Sequence, residues 1–151
     1  MAQKMDEFVW IYTDGACKGN PGPGGWGAWL VYKVHETEIF GGELGTTNNK
    51  MELRAVIEGL RLLKKPAKVL VYSDSKYVVD GVRKWMPAWK ANNWKKKDKK
   101  PIKNLDLWKR LDSLINSQLE FRIKWVRGHS GDFGNEKADK LANLGIRSLN
   151  F

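Results

Sequence analysis

Apolar residues along this chain fall either into unbroken runs or into helical spacing, and the changes between the two mark out its elements. The first run, Phe8-Val9-Trp10-Ile11-Tyr12-Thr13-Asp14-Gly15-Ala16, predicts a strand. Two more strands are predicted over 25–33 and 36–44. Between the first two lies Lys18-Gly19-Asn20-Pro21-Gly22-Pro23-Gly24, turn chemistry that favours antiparallel pairing. Helical spacing then runs from Asn49 to about Lys64, with Ala55, Val56, Leu60 and Leu63 along one side. Asn49 and Glu52 have capping-box spacing, with Asn in place of the usual Ser or Thr. Pro66 stops this helix. A fourth strand over 67–73 leads into a helix over 75–85, and Pro87 permits a second short helix from Ala88 to about Asn92. Leu105, Leu107, Trp108, Leu111, Leu114 and Ile115 make 104–117 helical. Residues 121–126 give the fifth strand, 127–132 a loop, and Asn135 to Leu149 the last helix. The fourth strand follows a helix that leaves a sheet edge, so a crossover and some parallel pairing are expected. The predicted class is α/β: a five-stranded mixed sheet flanked by helices. No internal repeat or linker interrupts it, and 151 residues suit one domain with a real core.

Four acids break the pattern. Asp14 and Asp74 each end an apolar strand, Glu52 lies in line with the apolar residues of its helix, and Asp139 lies in the last helix. Burying a lone carboxylate costs several kcal/mol, of order the whole stability of a domain. Acids placed repeatedly at the edge of a core point to a cation. Oxygen ligands without paired Cys or His suit a hard ion, Mg²⁺ or Mn²⁺. Charge then narrows the partner. A net charge of +10 and a pI near 9.7 favour a polyanion, although ribosome-associated and membrane-surface proteins share that balance. A hydrophobic fraction of 42% with eight Trp excludes disorder. No stretch is long and apolar enough to span a bilayer. Residues 1–7 lack the pattern of a signal peptide. The one cysteine, Cys17, leaves no internal disulfide and fits a reducing compartment, which suits the cytoplasm; a monomer is expected. A basic protein with an acidic, cation-binding pocket is what cutting a phosphodiester requires. Gly22-Pro23-Gly24-Gly25 is no phosphate loop, because it lacks the Gly-Lys-Ser/Thr ending and a following helix.

The segments that carry the acids also resemble the signatures of ribonuclease H type 1. Tyr12-Thr13-Asp14-Gly15-Ala16-Cys17, with Gly19-Asn20-Pro21-Gly22, is similar to the first, and Thr46-Thr47-Asn48-Asn49-Lys50-Met51-Glu52-Leu53 to the second. Ser73-Asp74-Ser75-Lys76-Tyr77-Val78 resembles the third. Val126-Arg127-Gly128-His129-Ser130-Gly131, followed by Asn135-Glu136 and Ala138-Asp139, resembles the last. Lys100-Pro101-Ile102-Lys103-Asn104, with Asp106-Leu107-Trp108, also matches. The likeness covers nearly the whole chain, in order.

The resemblance implies a ribonuclease H-like fold and endonucleolytic cleavage of the RNA strand of RNA–DNA hybrids, leaving 5′-phosphate and 3′-hydroxyl ends. It implies two Mg²⁺ ions with substrate, Asp14 between them and Glu52, Asp74 and Asp139 completing their shells. Asp139 is expected in the first turns of its helix, where the positive end of the dipole keeps it ionised. His129 is placed beside the metals to assist proton transfer or product departure; His35 is a surface residue. Gly15, Asn20, Asn48 and Asn49 are placed at the minor groove, where the amides reach 2′-hydroxyls and base edges. These asparagines also serve turns and caps. Cys17 packs near the hybrid. Lys76 stands beside the cleft where bacterial members often carry Gln. Residues 84–103, with Trp85, Trp89 and Trp94 among eight lysines, match the basic protrusion that grips the DNA strand. Thr47 and Asn104 are placed to hold a DNA phosphate. Two rivals remain: another nuclease or polynucleotidyl transferase of the same fold, and a non-catalytic hybrid-binding module.

Overall fold

The computed structural model describes residues 7–149. Residues 1–6, read above for a leader sequence, and 150–151 lie outside them. The strands are β1 (Phe8–Cys17), β2 (Gly22–Tyr32), β3 (His35–Thr46), β4 (Lys68–Ser73) and β5 (Glu120–Trp125). The helices are α1 (Asn48–Arg61), α2 (Lys76–Asp80), α3 (Met86–Ala91), α4 (Leu105–Asn116) and α5 (Phe133–Arg147), with a π-helical turn over Gly81–Trp85. The sheet order is β3-β2-β1-β4-β5. β1, β2 and β3 pair antiparallel, whereas β4 is parallel to both β1 and β5. The expected five-stranded mixed sheet is therefore present, with crossovers through helices.

Each face of the sheet is covered differently. On one, Val9 and Ile11 of β1, Leu30 of β2 and Val69 and Val71 of β4 meet Leu53, Val56, Ile57 and Leu60 of α1, with Trp108 and Leu111 of α4 behind them. On the other, α5 comes close enough to touch backbone. A Cβ added at Gly27 would lie 2.5 Å from the Cβ of Leu141 and 2.7 Å from the Ala138 carbonyl oxygen, and one at Gly145 would run into the carbonyl of Gly41. Next to α5 stands a row of rings, Trp10, Tyr72, Tyr12, Trp29 and Phe133. Tyr12 and Tyr72 are stacked at 4.7 Å between centroids.

Three local expectations are corrected. Thr47, not Asn49, caps α1: its Oγ1 accepts the Lys50 N–H at 3.2 Å. The capping box of Asn49 and Glu52 does not form, because Glu52 lies on the buried face of the helix. Pro87 does not separate two helices either. The backbone is helical from 76 to 91, and the π turn ends two residues before the proline, with the Met86 N–H bonded to the Gly81 carbonyl. Trp108 fills the place a Gly81 side chain would occupy. Pro87 falls in the first turn of α3, where a missing N–H costs least. Finally, α5 begins at Phe133, with Asp132 as its cap accepting the Asn135 N–H at 2.8 Å. Asp139 therefore lies in the second turn, past the reach of the terminal dipole charge expected to act on it.

The glycine contacts under α5 make a direct prediction. Gly145→Ala should destabilise the protein by about 1–3 kcal/mol, the usual range for overpacking. The urea midpoint falls and the slope stays unchanged. Lys140→Ala, exposed on the same helix, should stay within about 0.5 kcal/mol of the parent.

Candidate active site

Parallel pairing of β1 and β4 sets Thr13 opposite Ser73, so Asp14 and Asp74 emerge side by side where β4 ends. Glu52 reaches them from α1, and Gly15 makes that approach possible. Its Cα faces the Met51–Glu52 peptide so closely that any Cβ there would collide with it. One oxygen each from Asp14, Glu52 and Asp74 lie within 4.8 Å of one another. Asp14 and Glu52 are both 5% exposed. The Gly15 N–H donates to Asp14 Oδ1 at 2.9 Å, whereas Glu52 Oε1 is buried with no hydrogen-bond partner among the described residues.

Asp139 arrives from α5 on the other side and meets Asp14, close enough for their carboxyls to share a hydrogen bond. Three of the four predicted acids thus form a compact group, and the fourth attaches through Asp14. Burial, followed by the charges of Asp74 and Asp139, pushes Asp14 up to about 9. Burial, then Asp14 and Asp74, also raises Glu52 well above the ordinary carboxylate range. Without a counter-charge this site holds protons at neutral pH. An all-oxygen donor set with an orphaned buried carboxylate oxygen fits a hard divalent cation, Mg²⁺ or Mn²⁺.

The other predicted residues lie on both sides of this group. His129 is exposed, with φ 55°, on the loop after β5. Its neighbour Gly128 passes directly over Asp74: a Cβ there would be 2.7 Å from Asp74 Oδ2. Around the start of α1, Asn20 Oδ1 accepts the Asn48 N–H at 3.1 Å and Thr47 caps the helix, with Asn49 exposed beside them. The Cys17 thiol points back to the Gly22 and Thr46 carbonyls.

The protrusion side is built differently from a simple row of surface rings. Trp85 and Trp89 are half-buried and pack on Trp108, with Tyr77 against Trp85 and Trp108. They border a cavity of about 610 Å³ that Lys96 and Lys100 also line. Asn104 turns its amide N–H inward to the Tyr77 hydroxyl at 3.0 Å, and Trp108 Nε1–H joins the same oxygen at 3.1 Å. Asn104 shares a second cavity, of about 400 Å³, with Lys50, Arg54 and Glu43.

Sequence reasoning missed Trp125. It ends β5 within an ordinary strand pattern, yet its indole N–H donates to the Asp74 carbonyl at 3.1 Å and Lys76 Nζ sits 4.9 Å from its ring centre. The available signal was its place directly before Val126-Arg127-Gly128-His129.

The model of the RNase H family matches residues 6–147. A ribonuclease H of Cupriavidus pinatubonensis is 60% identical over 145 residues, 96% of this chain and 99% of the relative. One from Chromobacterium violaceum is 56% identical over 144 residues, 95% and 98% of the two chains. Among solved structures, LC9-RNase H1, described as a type 1 RNase H with the type 2 active-site motif, superposes with a TM-score of 0.84 at 33% identity. That likeness covers 94% of this chain and 73% of the other. The chain belongs to the ribonuclease H family, type 1.

The raised Asp14 value gives stability a definite sign. A carboxyl that titrates near 9 when folded and near 3.8 otherwise holds more protons in the folded state between those values. Rising pH across that window therefore removes stability from the cation-free protein. Asp14→Asn should raise the cation-free Tm by several degrees near pH 8, at about 2–4 °C per kcal/mol, and the gain should vanish below about pH 4. Added Mg²⁺ should raise the parent's Tm and barely move the variant's. Thermal melts across pH, with and without Mg²⁺, check both statements.

Proposed function

We propose that this enzyme cuts the RNA strand of RNA–DNA hybrids internally by metal-assisted hydrolysis, leaving 5′-phosphate and 3′-hydroxyl ends. The observation that carries this reading is the group of buried Asp14 and Glu52 with half-buried Asp74, and its unpartnered Glu52 oxygen. Bound there, a pair of Mg²⁺ ions, or Mn²⁺ in their place, supplies an activated water and charge stabilisation for the leaving 3′-oxygen. Asp14 holds the centre, since it alone meets all three other acids. Glu52 and Asp74 flank it, and Asp139 completes the outer side. Burial keeps bulk water from Asp14 and Glu52, which strengthens their hold on a cation.

The imidazole of His129, on the exposed loop over Asp74, assists proton transfer or product departure at the reacting end. Amide groups of Asn20, Asn48 and Asn49, with the bare Gly15 and the small Cys17 behind them, face the minor groove and select 2′-hydroxyls. Thr47 Oγ1 accepts from α1 yet keeps its own O–H to donate, which suits a phosphate, and Asn104 serves the DNA strand with Trp85, Trp89 and the lysines. Lys76 adds a cation beside Asp74. No helix among the described residues is long and apolar enough to cross a membrane. The proposal includes a cytoplasmic monomer acting as a single domain, with the basic protrusion over 84–103.

The direct test is a labelled hybrid with and without Mg²⁺, beside single-stranded RNA and duplex DNA. Cutting of duplex DNA, or no cutting of the hybrid, sinks the proposal. Glu52→Gln and Asp74→Asn should each lose at least about 10²- to 10³-fold in turnover with the fold intact, and Asp139→Asn less. His129→Ala should lose about 10²-fold in kcat while the hybrid binds as before.

Replacing Lys95, Lys96, Lys97, Lys99 and Lys100 with Ala should raise KM. The salt dependence should flatten by about 0.9 in log–log slope for each phosphate no longer neutralised. An unchanged slope would leave the protrusion a solvated surface.

A further inference from the structure

We propose that Trp125 is a positioning residue for this reaction. Its N–H holds the Asp74 peptide where the carboxylate meets Asp14 and Glu52, and its ring holds the Lys76 ammonium at the rim as a contact for a phosphate of the hybrid. The inference rests on the hydrolase reading above and adds a residue that reading does not use.

At the active end of the sheet, β4 and β5 pair up to Ser73 and Trp125, and the Val126 N–H still bonds the Ser73 carbonyl at 2.9 Å. Asp74 lies one residue beyond β4, so its carbonyl falls outside the regular ladder. The Trp125 indole N–H supplies the missing donor at 3.1 Å. A side chain thus extends the sheet by one rung, at the residue whose carboxylate belongs to the acidic group. The same segment continues into Gly128, whose backbone lies against Asp74 Oδ2, and then into His129. Trp125 and Val126 are thus both tied to the end of β4 just before that loop.

The ring has a second occupant. Lys76 is the first residue of α2, where a cation opposes the helix dipole and the first turn carries no acid. Helix stability therefore gives no reason for a lysine at this position. Its Nζ lies 4.9 Å from the centre of the Trp125 ring, a cation–π distance. The indole is 42% exposed, so the pair is open to solvent on the rim, two residues from Asp74. An ammonium held there, next to an anion-cutting centre, is oriented for an incoming phosphate without screening the buried acids. The pair also accounts for the exposure of a large aromatic side chain that a strand end does not otherwise need.

The two arms separate by substitution. Trp125→Phe keeps a ring for Lys76 and removes the N–H. Its Mg²⁺-induced rise in Tm should shrink, and the Mg²⁺ concentration for half-maximal cleavage should increase about 10-fold, the low end of what losing a hydrogen bond that supports a metal ligand costs. Its salt dependence of hybrid binding should match the parent's. Lys76→Gln should do the reverse: the Mg²⁺ response of Tm stays, and the log–log salt slope of hybrid Kd, measured by anisotropy in EDTA, drops by about 0.9, the equivalent of one phosphate. Trp125→Leu should show both defects, and adding Lys76→Gln to it should cost little more in Kd. A parent-like Mg²⁺ response in folded Trp125→Phe overturns the N–H arm. A parent-like salt slope in Lys76→Gln overturns the ring arm. If the parent itself fails to cut hybrid, the underlying hydrolase reading is what has failed.

Discussion

Asp14 and Glu52 repel each other in a place with almost no water, and the fold is arranged to keep them there. Each is nearly fully buried; the charge of Asp14 raises the proton affinity of Glu52, and those of Asp74 and Asp139 raise that of Asp14. Nothing in their own chemistry favours such closeness. It is imposed by the packing of α1 on β1, where Val9 and Ile11 meet the apolar face of α1 and Gly15 lies against the Met51–Glu52 peptide. The core's cohesion is large and non-directional; the bare Cα of Gly15 converts it into a fixed separation between two acids. Asp74 joins because the parallel register pairs Thr13 with Ser73, which brings the next residue of each strand side by side. Asp139 joins because α5 is pressed onto the sheet through glycines. The group is thus held from three independent directions, which lets it keep its shape whether or not a cation relieves the repulsion.

The same arrangement divides labour across the molecule. Acidic groups lie at the core's edge, while the excess of positive charge is gathered on the protrusion and along exposed helix faces. Attraction for a long polyanion and attraction for a small cation would cancel if mixed on one surface. Here the cations sit on solvent-facing segments, and the carboxylates gather where β4 ends beside β1. The aromatic cluster of Tyr77, Trp85, Trp89 and Trp108 anchors the protrusion to α4, so its lysines project from a packed base.

Much of this was legible in the chain. Strand runs such as 67–73 carry a strong local signal, and Asp14, Asp74 and Glu52 stood out because each interrupts an apolar pattern. Motif order then tied them to one family. What escaped depended on partners distant in sequence. The cap of α1 belongs to Thr47 because Glu52 is committed to the interior, and that is decided by Gly15 on another element. The π turn before Pro87 depends on Trp108 filling the space beside Gly81, a contact that spacing does not announce. The start of α5 had a local cue, since Asp132 precedes an apolar residue, but the glycines around it favoured a loop reading. Trp125 looked like any strand residue, because its importance lies in one indole N–H rather than in its period.

The row of rings beside α5 gives the active end of the sheet an optical signature. Tyr12 and Tyr72 stand two residues before Asp14 and Asp74 on their strands, stacked at 4.7 Å with an interplanar angle of 10°. Each ring's transition dipole is fixed to the strand that carries one acid. Any slip of β4 against β1, even by a fraction of a residue, changes the coupling between the two chromophores. The near-ultraviolet dichroism of this protein therefore contains a component that measures how the two acid-bearing strands are registered, with no label attached.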